Sequence, residues 1–74
     1  MRPLYKIADE IERDWKNVNY AARPYLDAMH TLTTMNDNYL LDNGESIVRY
    51  FLSNANPWRG EVARRVKAEL RSML

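Results

Sequence analysis

The sequence contains no cysteine, a single histidine and only two glycines among its 74 residues. The lack of cysteine excludes disulfides and thiolate-bound metals, and one histidine is too few for the ligand sets that hold zinc. Two isolated glycines cannot form a glycine-rich phosphate loop. No apolar run approaches the roughly 20 residues of a membrane-spanning helix, and the first residues lack the apolar stretch of a secretory signal. We therefore expect a cytoplasmic protein that is not an enzyme, binds no cofactor or metal and does not enter a membrane.

The chain does contain enough apolar material for one small folded domain. Hydrophobic residues make up 46% of the sequence, and the formal net charge is +1. This composition favours a folded domain over a disordered tail, and the length predicts one domain over residues 1–74. A chain this short buries only about 60% of its unfolded surface. Self-association would add burial, so a homo-oligomer stays open beside a monomer.

Helical periodicity runs through most of the chain and predicts an all-α fold, a compact bundle of four short helices. In the first helix, Leu4, Ile7 and Ile11 lie on one side together with Ala8 and Trp15, as in an amphipathic helix. No segment shows the sustained alternation of a strand. The predicted helices cover residues 3–16, 20–34, 43–54 and 57–73.

Local capping signals indicate where three of these helices begin. Pro24 falls inside the second helix, so either that helix begins near the proline or the proline bends it. The Asp42-x-x-Glu45 pattern resembles a capping box for the third helix. Asn56 as the N-cap and Pro57 at the first helical position predict the start of the fourth.

Two polar groups lack the pattern of a ligand site. His30 has a carboxylate neighbour, Asp27, three positions earlier, which indicates a surface histidine and no metal site. The polar loop of residues 36–45 offers many oxygen atoms, but its acids and glycine do not follow the spacing of a calcium-binding EF-hand loop. Turn formation and helix capping account for this loop more simply.

The fourth predicted helix carries nearly half of the positive charge. Residues 57–74 hold five basic and two acidic side chains, whereas the first 56 residues hold six basic and eight acidic ones. A helical projection places Arg65 between Glu61 and Glu69, which would neutralise it. Three other basic residues face outward without an acidic neighbour in their own helix and form what we call the basic strip: Arg64, Lys67 and Arg71.

Trp58 and Arg59 stand at the start of that helix. Trp58 projects among the core side chains, and Arg59 projects near the middle of the same apolar side. We expect Arg59 to turn inward and either stack on an aromatic ring or pair with Asp14 or Asp27. Both residues are interpreted as structural, with contact to a partner as the alternative.

Two functional hypotheses compete for the basic strip. In the leading one, the strip and nearby exposed tyrosines dock on an acidic protein surface, because Arg and Tyr are favoured contact residues. In the other, the last two helices form a helix-turn-helix-like unit that binds nucleic acid. Three cations would contact only about three phosphates, which gives weak and salt-dependent binding. A plain alternative is that the strip only keeps the domain soluble.

Four segments of the chain resemble a group of small uncharacterised helical proteins encoded by bacteriophages, prophages and integrative elements of Gram-positive bacteria. They are residues 14–18 (DWKNV), 22–29 (ARPYLDAM), 46–55 (SIVRYFLSNA) and 58–70 (WRGEVARRVKAEL). The resemblance carries over no catalytic or binding residue. It implies a mobile-element accessory protein in the bacterial host cell, with a host or phage protein as its partner. Inhibitors of bacterial defence systems, such as anti-CRISPR proteins, are a prominent class of such proteins.

Overall fold

Four helices and one short β-hairpin make up the computed structural model, which describes all 74 residues. The elements are α1 (Leu4–Asp14), α2 (Arg23–Met29), β1 (Asn38–Tyr39), β2 (Asp42–Asn43), α3 (Gly44–Ser53) and α4 (Glu61–Ser72). The prediction of a mostly helical fold is confirmed. The four predicted helices are present, and the fold departs from a purely all-α bundle only at the polar loop before α3, which forms a short antiparallel hairpin.

An aromatic cluster forms part of the hydrophobic core. Trp15, just after α1, stacks on Trp58 with ring centroids 5.8 Å apart. Phe51 of α3 meets both indoles edge-on, at 6.1 and 6.4 Å. Such pairs add about 0.5–1.5 kcal/mol each beyond the area they bury. The apolar side of α1 predicted from the sequence packs into this core, including Leu4 and Ile7.

The second helix is shorter than predicted, covering Arg23–Met29 instead of residues 20–34. Pro24 lies in its first turn, where the missing N–H costs nothing. After the helix ends, the carbonyl groups of Thr33 and Leu32 accept hydrogen bonds from the backbone N–H groups of Leu4 and Tyr5, at 3.0 and 2.9 Å. These donors belong to the first turn of α1 and have no partner within that helix. The segment therefore leaves the helical conformation to cap α1.

The loop before α3 is held by its own polar side chains. The carboxylate of Asp37 accepts hydrogen bonds from the backbone N–H groups of Thr33 and Thr34, at 2.8 and 3.1 Å, and these bonds lower its pKa. The residue that caps α3 is Asn43, whose side chain accepts from the N–H of Ser46 at 2.8 Å. The predicted capping and turn role of the loop is confirmed, although the cap lies one residue after Asp42.

The fourth helix begins at Glu61, four residues later than predicted. Residues 57–60 form a turn and bend instead of a helical turn. The residue before the helix is Gly60 at φ 113°, a conformation that side chains with a Cβ rarely adopt. Neither Asn56 nor Pro57 therefore starts this helix. The segment places Trp58 in the core, where 2% of its surface is exposed.

Candidate partner-binding surface

The turn before α4 separates the roles of Trp58 and Arg59. The indole N–H of Trp58 donates a hydrogen bond to the carboxylate of Asp14 at 2.8 Å. The expectation that Arg59 turns inward to pair with Asp14 or Asp27 is wrong, because Arg59 is exposed and has no ion pair. The projection failed because residues 57–60 are not helical. Arg59 thus joins the outer surface, and Trp58 anchors the turn beneath it.

The side of α4 that faces α1 is neutralised by ion pairs between distant parts of the chain. Arg65 pairs with Glu10 of α1. Arg2 lies 2.6 Å from the carboxylate of Glu69 and 2.9 Å from that of Glu10. We call these four residues the paired flank. The partner of Arg65 is therefore Glu10, and the prediction that Glu61 and Glu69 pair with it within the helix is not what the structure shows.

The paired flank also shifts the titration of its acids. The hydrogen bond from Arg65, followed by the ion pair with Arg2, lowers the pKa of Glu10 although partial burial acts in the opposite direction. The hydrogen bond from Arg2 lowers the pKa of Glu69 in the same way. Both carboxylates therefore stay ionised at pH values below the ordinary titration range of a glutamate. The charges of the paired flank compensate one another within the fold.

Lys67, the middle residue of the basic strip, is partly used by the fold. Its Nζ donates hydrogen bonds to the carbonyl oxygens of Ala55 and Trp58 at 2.8 and 2.6 Å, and it lies 5.8 Å from the centroid of the Trp58 ring. Burial lowers the pKa of this ammonium group, and the positive charges of Arg71 and Arg59 lower it further. Lys67 therefore fixes the turn before α4 while contributing charge to the surface.

The side of α4 that turns away from the paired flank, together with the turn before the helix, carries three arginines without acidic partners. Arg59, Arg64 and Arg71 are exposed and form no ion pair. Arg49 of α3 adds a fourth guanidinium, with Glu45 of its own helix at 3.6 Å. We call these four arginines the basic surface; it keeps two members of the basic strip.

A cleft of about 420 Å³ lies between the last turns of α3 and α4. Arg49 and Arg71 stand in its lining together with Leu52, Ser53 and Leu74, and no acidic residue lines it. Guanidinium groups bind carboxylates through two parallel hydrogen bonds, which gives geometric as well as electrostatic selectivity. Apolar walls beside two guanidinium groups suit an acidic side chain that has apolar neighbours.

The sequence analysis missed a second exposed region, at the hairpin and the adjoining tyrosines. Leu40 and Leu41 are exposed at the hairpin tip, and Tyr25 of α2 stacks on Tyr50 of α3 at 5.4 Å. The available signal was two adjacent leucines within an otherwise polar loop. Helical spacing gives no information about residues 36–45, and the sequence-based interpretation of this loop as a turn and helix cap assigns no role to its leucines.

His30 connects α2 to α1 and forms no metal site. Its Nδ1 lies 3.3 Å from the carboxylate of Asp9, and its Nε2 lies 3.2 Å from that of Glu12. The predicted neighbour Asp27 pairs instead with Arg23, at 3.2 Å. No group of three or more potential metal-ligating side chains is present anywhere in the chain. None of the four helices combines the length and apolar character needed to cross a bilayer.

Comparison with known proteins gives no match. A scan against models of protein families finds none that fits the chain, and searches of curated proteins and of solved structures find no significantly similar one.

Proposed function

We propose that this chain is a non-catalytic accessory protein that acts by binding another protein through its basic surface. The observation that carries the proposal is the contrast on α4: the charges toward α1 are paired within the fold, whereas Arg59, Arg64 and Arg71 have no acidic partner. The helix and the anchored turn fix the backbone positions of these arginines before binding, so the backbone loses little freedom, which favours affinity.

The partner that fits this surface is an acidic protein surface with some apolar character. The cleft between Arg49 and Arg71 has Leu52 and Leu74 in its walls. A phosphate backbone would use the guanidinium groups and leave the apolar walls unused, whereas an acidic segment with apolar side chains uses both. Arg is also among the residues that contribute most at protein–protein contacts.

The resemblance to proteins of phages and integrative elements supplies a candidate class of target. A protein of the host or of a phage is the expected partner, and inhibition of a bacterial defence system, as by an anti-CRISPR protein, is the specific form of the proposal. No residue of the chain identifies that target. This form of the proposal is supported by the resemblance, together with a charged surface on which Arg59, Arg64 and Arg71 form no ion pair within the fold.

The test is affinity capture from a lysate of the host bacterium, with the captured protein identified and its affinity then measured in purified form. We expect the combined reversal of Arg59, Arg64 and Arg71 to Glu to weaken that affinity by about 100-fold or more. Lys67 is left intact because it holds the turn. The matched control is Arg65→Glu, which changes the same helix on its paired flank and should retain most of the affinity. Equal affinity of the triple variant and the native chain would overturn the proposal.

Nucleic-acid binding is the second candidate, because the same four arginines would suit phosphates. Its signature is steep salt dependence: four phosphate contacts on duplex DNA predict a slope of about −3.6 in log K against log salt concentration. A titration with generic duplex DNA at low salt tests it directly. No binding there would remove this candidate, and binding that the triple variant abolishes would promote it above protein binding.

A further inference from the structure

The hairpin places two leucines in solvent. The strand register pairs Tyr39 with Asp42, so Leu40 and Leu41 form the two-residue turn between them. Leu40 is 85% exposed and Leu41 is 101% exposed, that is, entirely in solvent. Every other leucine in the chain is buried or half-buried. The fold therefore leaves this apolar pair outside its own core.

The backbone of the turn also disfavours a leucine. Leu40 has φ 57° and is the only non-glycine residue with a positive φ. A positive φ at the first turn residue alone is the pattern of a type II′ turn, which prefers glycine there. A residue with a Cβ is sterically disfavoured at a positive φ. The stability of the isolated domain thus does not account for a leucine at this position.

An apolar cavity of about 170 Å³ lies beside the turn. Its lining residues come from α2, α3 and the hairpin: Pro24, Tyr25, Ala28, Tyr39, Leu40, Asp42 and Ile47. An apolar cavity of about 150 Å³ is large enough to hold a benzene molecule. The cavity therefore has room for one leucine side chain, although Leu41 of the same chain points away into solvent.

We propose that this face joins two copies of the chain, with Leu41 of each copy seated in the cavity of the other. A two-fold interface uses the same patch on both partners and so needs a projection and its receptor side by side. The hairpin supplies both, since Leu41 projects and Leu40 lines the cavity. This mutual insertion buries Leu41 of each copy, and Leu40 packs against the inserted side chain.

The low charge and the apolar side chains of the face fit a second copy. Asp42 is the only charged residue that lines the cavity, so two copies meet without extensive like-charge repulsion. A stable interface takes about 800 Å² from each partner, roughly one sixth of the chain's 4677 Å². The leucine pair and the neighbouring Tyr39 and Tyr50, which are 38% and 53% exposed, supply an apolar centre for that area. Strands of two residues are too short to recruit a peptide strand.

The test is sedimentation equilibrium of the full chain up to about 1 mM, where an association of about −4 kcal/mol is half complete. We expect a monomer–dimer equilibrium for the native chain. Leu41→Asp should raise the dimer dissociation constant by on the order of 30-fold or more, as expected for a buried hot-spot residue. Because Leu41 makes no contribution to the core, circular dichroism should show an unchanged fold.

Two controls make the result specific. Leu41→Met keeps an apolar side chain of similar size and should dimerise within a few-fold of the native chain. Arg71→Glu changes the basic surface and should leave dimerisation unaltered, which separates this proposal from the one on partner binding. A native chain that stays monomeric at about 1 mM, or a Leu41→Asp variant that dimerises as the native chain does, would overturn the proposal.

Discussion

The two sides of α4 carry similar numbers of charges but use them in opposite ways. Toward α1, Arg65 and Glu69 are tied to Arg2 and Glu10, and the charges cancel within the fold. On the other side, Arg64 and Arg71 form no ion pair, and neither does Arg59 in the preceding turn. Ion pairs between distant segments, and not spacing along one helix, therefore decide which cations of α4 are left for a partner.

The largest expected effect concerns the anchor beneath the basic surface. Trp58→Ala removes a buried indole that stacks on Trp15 and should lower the free energy of unfolding by about 3–5 kcal/mol, measured by urea titration. Trp58→Phe keeps an aromatic ring and loses the hydrogen bond to Asp14, so we expect a smaller loss. An alanine variant of unchanged stability would show that Trp58 serves contact and not folding.

The next effect distinguishes Lys67 from the arginines around it. Lys67→Met keeps the aliphatic stem but leaves two carbonyl groups without their donor, at an expected cost of about 1–2 kcal/mol in unfolding free energy. Arg71→Met, on the same side of the helix, should stay within about 0.5 kcal/mol of the native chain. Similar losses in thermal denaturation of the two variants would contradict the structural role of Lys67.

A smaller effect on stability is expected when a low pH protonates the acids of the paired flank. Glu10 and Glu69 have pKa values in the folded chain below their ordinary range. The stability that these acids contribute is therefore fully present above the unfolded-state value of about 4.3 and is lost as the pH falls through the lowered folded-state pKa values. The double variant Glu10→Gln, Glu69→Gln should be less stable at pH 7 and show a flatter decline below about pH 4. An unchanged acid limb in pH-dependent thermal denaturation would mean that this flank contributes no stability.

The sequence was sufficient to predict most of the helical framework. Regular spacing marked Leu4, Ile7 and Ile11 as one side of α1, and the structure buries all three. Helix boundaries were less predictable where the backbone forms hydrogen bonds with a distant segment. Leu32 and Thr33 are not helical, and their carbonyl groups cap α1. No sequence pattern within residues 30–34 predicts these hydrogen bonds.

The candidate site was predictable only in part, for the same physical reason. Exposure of Arg64 and Arg71 follows from helical spacing, so both were found. Arg59 was misplaced because the projection extended α4 over residues 57–60, and the pairing of Arg65 with Glu10 depends on how two helices pack. The exposed leucines Leu40 and Leu41 could be recognised only from the geometry of the turn. In that turn, a leucine occupies a position that glycine prefers.

The most direct test of the contrast between the two sides of α4 is thermal denaturation of Arg64→Glu and Arg65→Glu, measured together. The two positions are adjacent in sequence and both exposed, and the substitutions are chemically identical. We expect Arg65→Glu to lower the Tm clearly, since it places a third acid beside Glu10 and Glu69, and Arg64→Glu to leave it unchanged. An equal loss of Tm in the two variants, or a larger loss for Arg64→Glu, would contradict the account.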